Sequence, residues 1–97
     1  MRNVTAGEAE IPALGLGTWD LRGEAARDMT ARALAEGWRH LDTARMYGNE
    51  AEVGAALRAA AVPRDQVFLT TKIWPDDHAP ARLRAAAEDS LRTLGLD

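Results

Sequence analysis

Cysteine is absent from the 97 residues, and lysine, tyrosine and serine occur once each. Without cysteine there is no disulfide framework, no thiolate nucleophile and no thiolate metal site, which is compatible with a reducing compartment. A basic excess is missing too: 12 Lys and Arg stand against 15 Asp and Glu, for a net charge of −3. Nucleic-acid binders normally carry a basic stripe, so that class is disfavoured. No apolar run approaches the ~18 residues of a membrane span, and the first residues lack the apolar core of a signal peptide. What is present, 46% hydrophobic and 28% charged residues, suits a globular chain with one modest core.

Of the 12 cationic residues, 11 are Arg, and Lys72 is the exception. A chain that writes its cations as arginine has either drifted at this position or needs a lysine there. Composition alone does not separate the two.

Along the chain, Val4 to Ile11 fits a short hairpin turning near Ala6-Gly7. Ala13 to Gly17 reads as a short buried strand whose glycines admit another backbone. From Gly23 to Glu36, Ala26, Met29, Ala33 and Leu34 form a helical stripe, and Gly37 supplies the stop. Trp38 to Asp42 reads as a second strand. Asn49 then caps a helix, with Glu52 three residues on as a capping-box variant. The stripe of that helix is Val53, Ala56, Leu57 and Ala60, with Pro63 past its end. Val67 to Trp74 is the clearest strand, β-branched and aromatic with little alternation, as expected when both faces are buried. Pro80 suits a first helical turn, and Leu83, Ala87, Leu91 and Leu94 follow at helical spacing up to Gly95.

The order β-α-β-α-β-α, with helices between the strands, argues for right-handed crossovers and a parallel α/β sheet. Three βα units are too few for a barrel, which takes eight units and ~250 residues. They also leave a parallel sheet covered mainly on one side, which such sheets rarely tolerate. The expectation is therefore the beginning of a larger domain, ending before a fourth strand.

Asp42 and Lys72 fall at or near the C-terminal ends of the second and third strands, the functional rim of parallel α/β sheets. Adjacent strands lie ~4.8 Å apart, so the two side chains pair if the register matches. Tyr47 follows Asp42 by five residues in the loop over the same rim. A phenol, ordinarily with a pKa near ~10, is a poor acid at neutral pH, and an adjacent ammonium favours its ionised form. A carboxylate beyond the lysine holds that cation charged and in place. Asp42, Lys72 and Tyr47 thus make a proton donor for a carbonyl oxygen that becomes an alkoxide. A strand-end ion pair beside a loop tyrosine is the plainer alternative.

The run from Gly37 to Gly54, with Leu41-Asp42-Thr43-Ala44 and Tyr47-Gly48-Asn49-Glu50 at its centre, closely resembles the first signature of the aldo/keto reductase superfamily. Ile11 to Trp19 resembles the family's opening strand and first loop, and Thr70 to Trp74 its third strand. The stretch from Val62 to Trp74 is most similar to the bacterial 2,5-diketo-D-gluconate reductase-like group. The resemblance implies a (β/α)8 TIM barrel, of which residues 1–97 would form the first three βα units. It implies NADPH-dependent reduction of aldehydes and ketones without metal, in a cytoplasmic, monomeric protein with a small carbonyl substrate and no nucleic-acid or membrane partner. Carried over by position, Tyr47 is the general acid, Lys72 the residue that tunes it, and Asp42 the lysine's partner. Gly17, Thr18, Trp19 and Asp42 lie against the cofactor, and Trp19, Tyr47 and Trp74 wall the substrate pocket. The family's catalytic histidine and its main phosphate-binding segment have no counterpart in the 97 residues, so this chain alone is expected to turn over little and to be poorly stable.

Neither histidine replaces the missing one. His40 lies on the strand face of Asp42 and reads as a packed residue, while His78 follows Asp76-Asp77 in a loop without specific metal-ligand spacing. Ser90 lies in a helix without a nucleophile's partners. Arg82, Arg84 and Arg92 read as a solvated helix face. Gly15-Leu16-Gly17-Thr18-Trp19-Asp20 lacks the third glycine of a dinucleotide fingerprint. A non-catalytic NADPH-binding or half-barrel interaction module is the main alternative function, and a small flavodoxin-like receiver a remote one.

Overall fold

The computed structural model describes residues 3–73 and 79–96. A two-stranded antiparallel hairpin opens the chain, β1 (Asn3–Ala6) paired with β2 (Ala9–Pro12). Three βα units follow: β3 (Leu16–Gly17) and α1 (Gly23–Ala35), β4 (His40–Asp42) and α2 (Glu50–Ala59), β5 (Phe68–Thr70) and α3 (Pro80–Leu94). The strands form one parallel sheet in the order β3-β4-β5. Both the hairpin and the βα rhythm match the expectation.

The strands are shorter and wetter than the sequence suggests. Ala13 to Gly15 lie outside β3 and are exposed, as is Gly17, while β5 is only half-buried. The physical reason is that the helices cover one face of the sheet. On that face Leu34, Leu41, Val53, Leu57, Val67 and Leu94 form the core, with Leu16 and Leu69 packed against it. Strand alternation turns His40, Asp42, Phe68, Thr70 and Lys72 to the other face. A Cβ at Gly15 would lie 3.0 Å from the His40 ring, so that glycine makes room for a side chain rather than a backbone.

Two helix stripes are rotated from their expected positions. On α1 Thr30 is buried while Met29 is 43% exposed, because the Thr30 hydroxyl donates to the Ala26 carbonyl (2.7 Å) and needs no solvent. On α3 the buried residues are Ala86, Ser90 and Leu94, while Leu83 and Leu91 remain exposed. The α2 stripe holds at Val53, Ala56 and Leu57 and extends to Gly54, where the end of α3 packs close. Pro80 starts α3 and Gly95 ends it in the left-handed region, both as expected. Arg58 seals that end by donating to the Leu94 carbonyl. Among the described residues no helix is long and apolar enough to cross a membrane.

Candidate active site

The register decides which side chains meet at the C-terminal edge of the sheet. Gly17 pairs with Asp42, and Asp42 with Thr70. Beyond the strand ends the ladder continues through Thr43 N–H to Thr70 O (2.8 Å) and Arg45 N–H to Lys72 O (3.1 Å). Lys72 lies two residues past Thr70 and so projects from the same face as Asp42.

The Lys72 ammonium donates to Asp42 Oδ1, to the Thr43 carbonyl (3.2 Å) and to the Tyr47 hydroxyl (3.4 Å), with Nζ 5.2 Å from the Tyr47 ring centre. Tyr47 ends a single 3₁₀ turn, Arg45–Tyr47, and Gly48 follows at φ +68°, a left-handed conformation that a side chain would strain. That turn folds the phenol back over the strand ends. Desolvation is the largest single influence on the Lys72 ammonium and acts to lower its pKa. Hydrogen bonds and charge from Asp42 and Tyr47 together outweigh it, so the pKa is raised above the ordinary 10.5. The lysine is therefore a fixed cation held between a carboxylate and a phenol. Because the Lys72 and Asp42 side chains stay 47% and 42% exposed, the pair contributes orientation more than stability.

The loop after β3 is tied to the same rim. Thr18 is buried, and both its amide and its hydroxyl donate to the Asp42 carbonyl, each at 3.0 Å. Its neighbours face outward: Trp19 is 72% exposed, and a Cβ at Gly17 would meet no atom within 4 Å. The Trp19 indole and the bare Gly17 backbone are thus open to solvent beside the strand end that carries Asp42. Trp74 and His78, singled out from the sequence, lie outside the described residues.

His40 is packed as expected. Its ring lies edge-on to Phe68 at 5.3 Å, with Nδ1 3.1 Å from the Pro12 carbonyl and Nε2 3.2 Å from Thr70 Oγ1. A groove of about 490 Å³ lined by Asn3, Glu10, Arg39 and Asp65 lies at the opposite edge of the sheet, away from this chemistry.

Sequence reasoning missed a polar layer beneath the rim. Asn49 precedes α2 but makes no side-chain cap, so the capping box is not formed. Its side chain instead reaches Thr43, Thr18 and Leu21. Glu50, also buried, accepts from Thr71 Oγ1 (2.7 Å) and Ser90 Oγ (3.3 Å), joining the segment just after β5 to α3. Ser90 therefore has a structural partner and no nucleophile's geometry. The only sequence signal for this layer is that Asn49-Glu50 belongs to the same motif as Tyr47. Asp89 similarly joins Arg45 (2.8 Å) and Arg92 (3.3 Å), and Arg92 stays on the solvated helix face as expected, its side chain 69% exposed.

Residues 13–97 match the model of the aldo/keto reductase family. Among curated proteins, the chain is 44% identical over 89 residues to glycerol 2-dehydrogenase (NADP(+)) of Saccharomyces cerevisiae, covering 92% of this chain and 28% of the relative. It is 47% identical over 87 residues to methylglyoxal reductase DkgA of Escherichia coli, covering 90% and 31%. A solved aldo-keto reductase from a Medee basin deep-sea metagenome superimposes with a TM-score of 0.89 at 43% identity, over 92% of this chain and 33% of that one. A structure provisionally named 2,5-diketo-D-gluconic acid reductase B gives 0.95 at 45% identity, over 100% and 34%. The chain thus spans about a third or less of the length of these relatives. Its parallel βα units are the first units of the TIM-barrel architecture on which those enzymes are built.

Proposed function

The chain belongs to the aldo/keto reductase family, and on that premise we propose that it carries the proton-donating half of an NADPH-dependent carbonyl reductase. Residues 1–97 contribute the first part of that reductase domain. NADPH, when bound, supplies a hydride to the carbonyl carbon of a small aldehyde or ketone. The Tyr47 hydroxyl gives its proton to the carbonyl oxygen as negative charge develops there, and the phenolate left behind is reprotonated from solvent. Lys72, 3.4 Å from that hydroxyl, stabilises the phenolate. Asp42 and the Thr43 carbonyl fix the ammonium in place. Gly17 and Trp19, with Asp42, offer the surface for the nicotinamide, Thr18 holds that segment to the rim from beneath, and Trp19, Tyr47 and Trp74 supply the walls for the substrate.

The observation that carries this reading is the Lys72 ammonium bonded at once to a carboxylate and to the chain's single phenol. A structural ion pair needs no phenol beside it, and a binding module needs no tuned acid. NADP(+) appears in the name of one relative and methylglyoxal in another, which supports a small carbonyl compound as substrate and NADPH as reductant. The test is oxidation of NADPH by the full-length protein that carries these residues, with a panel of small aldehydes and the alcohol product identified. Saturable turnover supports the reading. NADPH binding with no alcohol formed from any carbonyl favours the non-catalytic module.

A further inference from the structure

The Asn49 side chain is completely buried at the edge of the rim, and none of its hydrogen bonds goes to its own helix. Its Oδ1 accepts from Thr43 Oγ1 at 2.6 Å, and its Nδ2 donates to the carbonyls of Thr18 (2.8 Å) and Leu21 (3.0 Å). Both amide donors and one acceptor position are therefore used, on two different loops. One loop follows Gly17 at the end of β3 and carries Thr18 and Trp19. The other, after β4, carries Thr43, whose carbonyl holds Lys72, and Tyr47, two residues before Asn49.

We infer that Asn49 is a positioning residue that clamps the Thr18–Leu21 loop to the loop carrying Tyr47, so that the cofactor-facing segment and the proton donor keep one fixed separation. This rests on the reductase reading of the site. The clamp is specific to a carboxamide. A carboxylate of the same shape still accepts from Thr43 but turns an oxygen toward two carbonyl oxygens, while an apolar residue leaves the Thr43 hydroxyl and the Leu21 carbonyl unpaired and the Thr18 carbonyl with the Leu21 amide alone. Either change frees the loops without touching Asp42, Tyr47 or Lys72.

In the full-length protein that carries these residues, the test compares wild type with Asn49→Asp and with Thr43→Val, which removes the shared hydroxyl at nearly constant volume. Steady-state reduction of an aldehyde by NADPH, the pH titration of the Lys72 ammonium by NMR and hydrogen exchange at the Leu21 amide are measured on each. Asn49→Asp is expected to lower kcat by about tenfold or more, to accelerate Leu21 exchange and to bring the Lys72 titration toward its ordinary value. Thr43→Val is expected to do the same in smaller measure, with Thr43→Ser recovering most of the loss. A lower melting temperature with unchanged kcat, exchange and titration overturns the inference. Where wild type itself reduces no carbonyl, the reductase reading fails. The exchange and titration data then still decide the clamp, and wild-type-like values in Asn49→Asp refute it.

Discussion

Replacing Gly54 by alanine sets two opposed effects against each other. Gly54 lies within α2, where helix propensity alone favours alanine by about 1 kcal/mol. The packing says the reverse. A Cβ at this position would lie 2.7 Å from both Cα and C of Leu94, and closer still to the Leu94 carbonyl oxygen. Those are backbone atoms of the last turn of α3, so no rotamer change relieves the contact. The turn is also held from two sides, by Arg58 donating to that carbonyl and by Gly95 in the left-handed region. Moving it would displace Leu94, which is 1% exposed in the core. Overpacking of this kind costs about 1–3 kcal/mol, with the upper end appropriate where backbone must shift. Net of propensity, Gly54→Ala should destabilise by about 1–2 kcal/mol, which lowers the melting temperature of a domain this size by about 5–15 °C. Thermal unfolding followed by circular dichroism reads this directly. A melting temperature equal to or above that of wild type would refute the close α2–α3 approach.

The remaining expectations concern charge and the buried polar layer. Because the Lys72 pKa is raised, its stabilising contribution is present below 10.5 and is lost only as pH climbs through the folded value. An NMR titration should show a charged ammonium at all neutral pH values, with Asp42→Asn bringing its pKa down. At Asp89 the shift runs the other way: the Arg45 hydrogen bond first, then Arg92, holds the carboxyl below its ordinary 3.8. That contribution is present above 3.8 and lost as pH falls through the folded value, so Asp89→Asn should flatten the acid limb of a stability–pH curve. Glu50→Ala removes the acceptor for two hydroxyls, Thr71 and Ser90. It should cost about 1–3 kcal/mol in urea unfolding, whereas a solvated glutamate would cost almost nothing.

Element order and the meeting of Asp42 with Lys72 were legible in the sequence because both follow from parallel strand periodicity. A residue at a strand end and one two places beyond its register partner share a face whatever surrounds them. Burial was less legible. Val67 to Trp74 reads as buried on both faces, yet β5 is half-buried because the helices cover one side only. Met29 and Leu91 look like core, while neither helical stripe includes Thr30 or Ser90. The hydroxyls reverse that, since each finds a hydrogen-bond partner inside the fold. Asn49 is the most instructive case. Its position before α2 predicts a cap, and a local rule cannot foresee that Thr18 and Leu21, some 30 residues earlier, would bring carbonyls to its side chain. Long-range polar partners leave no periodic trace.

The account centres on Tyr47 as the proton donor held by Lys72, and Tyr47→Phe tests it most directly. The substitution removes one oxygen and leaves the Asp42–Lys72 pair, the Thr18 loop and the core in place. In the full-length protein, parallel measurements of NADPH binding and of aldehyde reduction by this variant are predicted to show binding near wild type and reduction abolished. Reduction at a near-normal kcat in Tyr47→Phe would contradict the account.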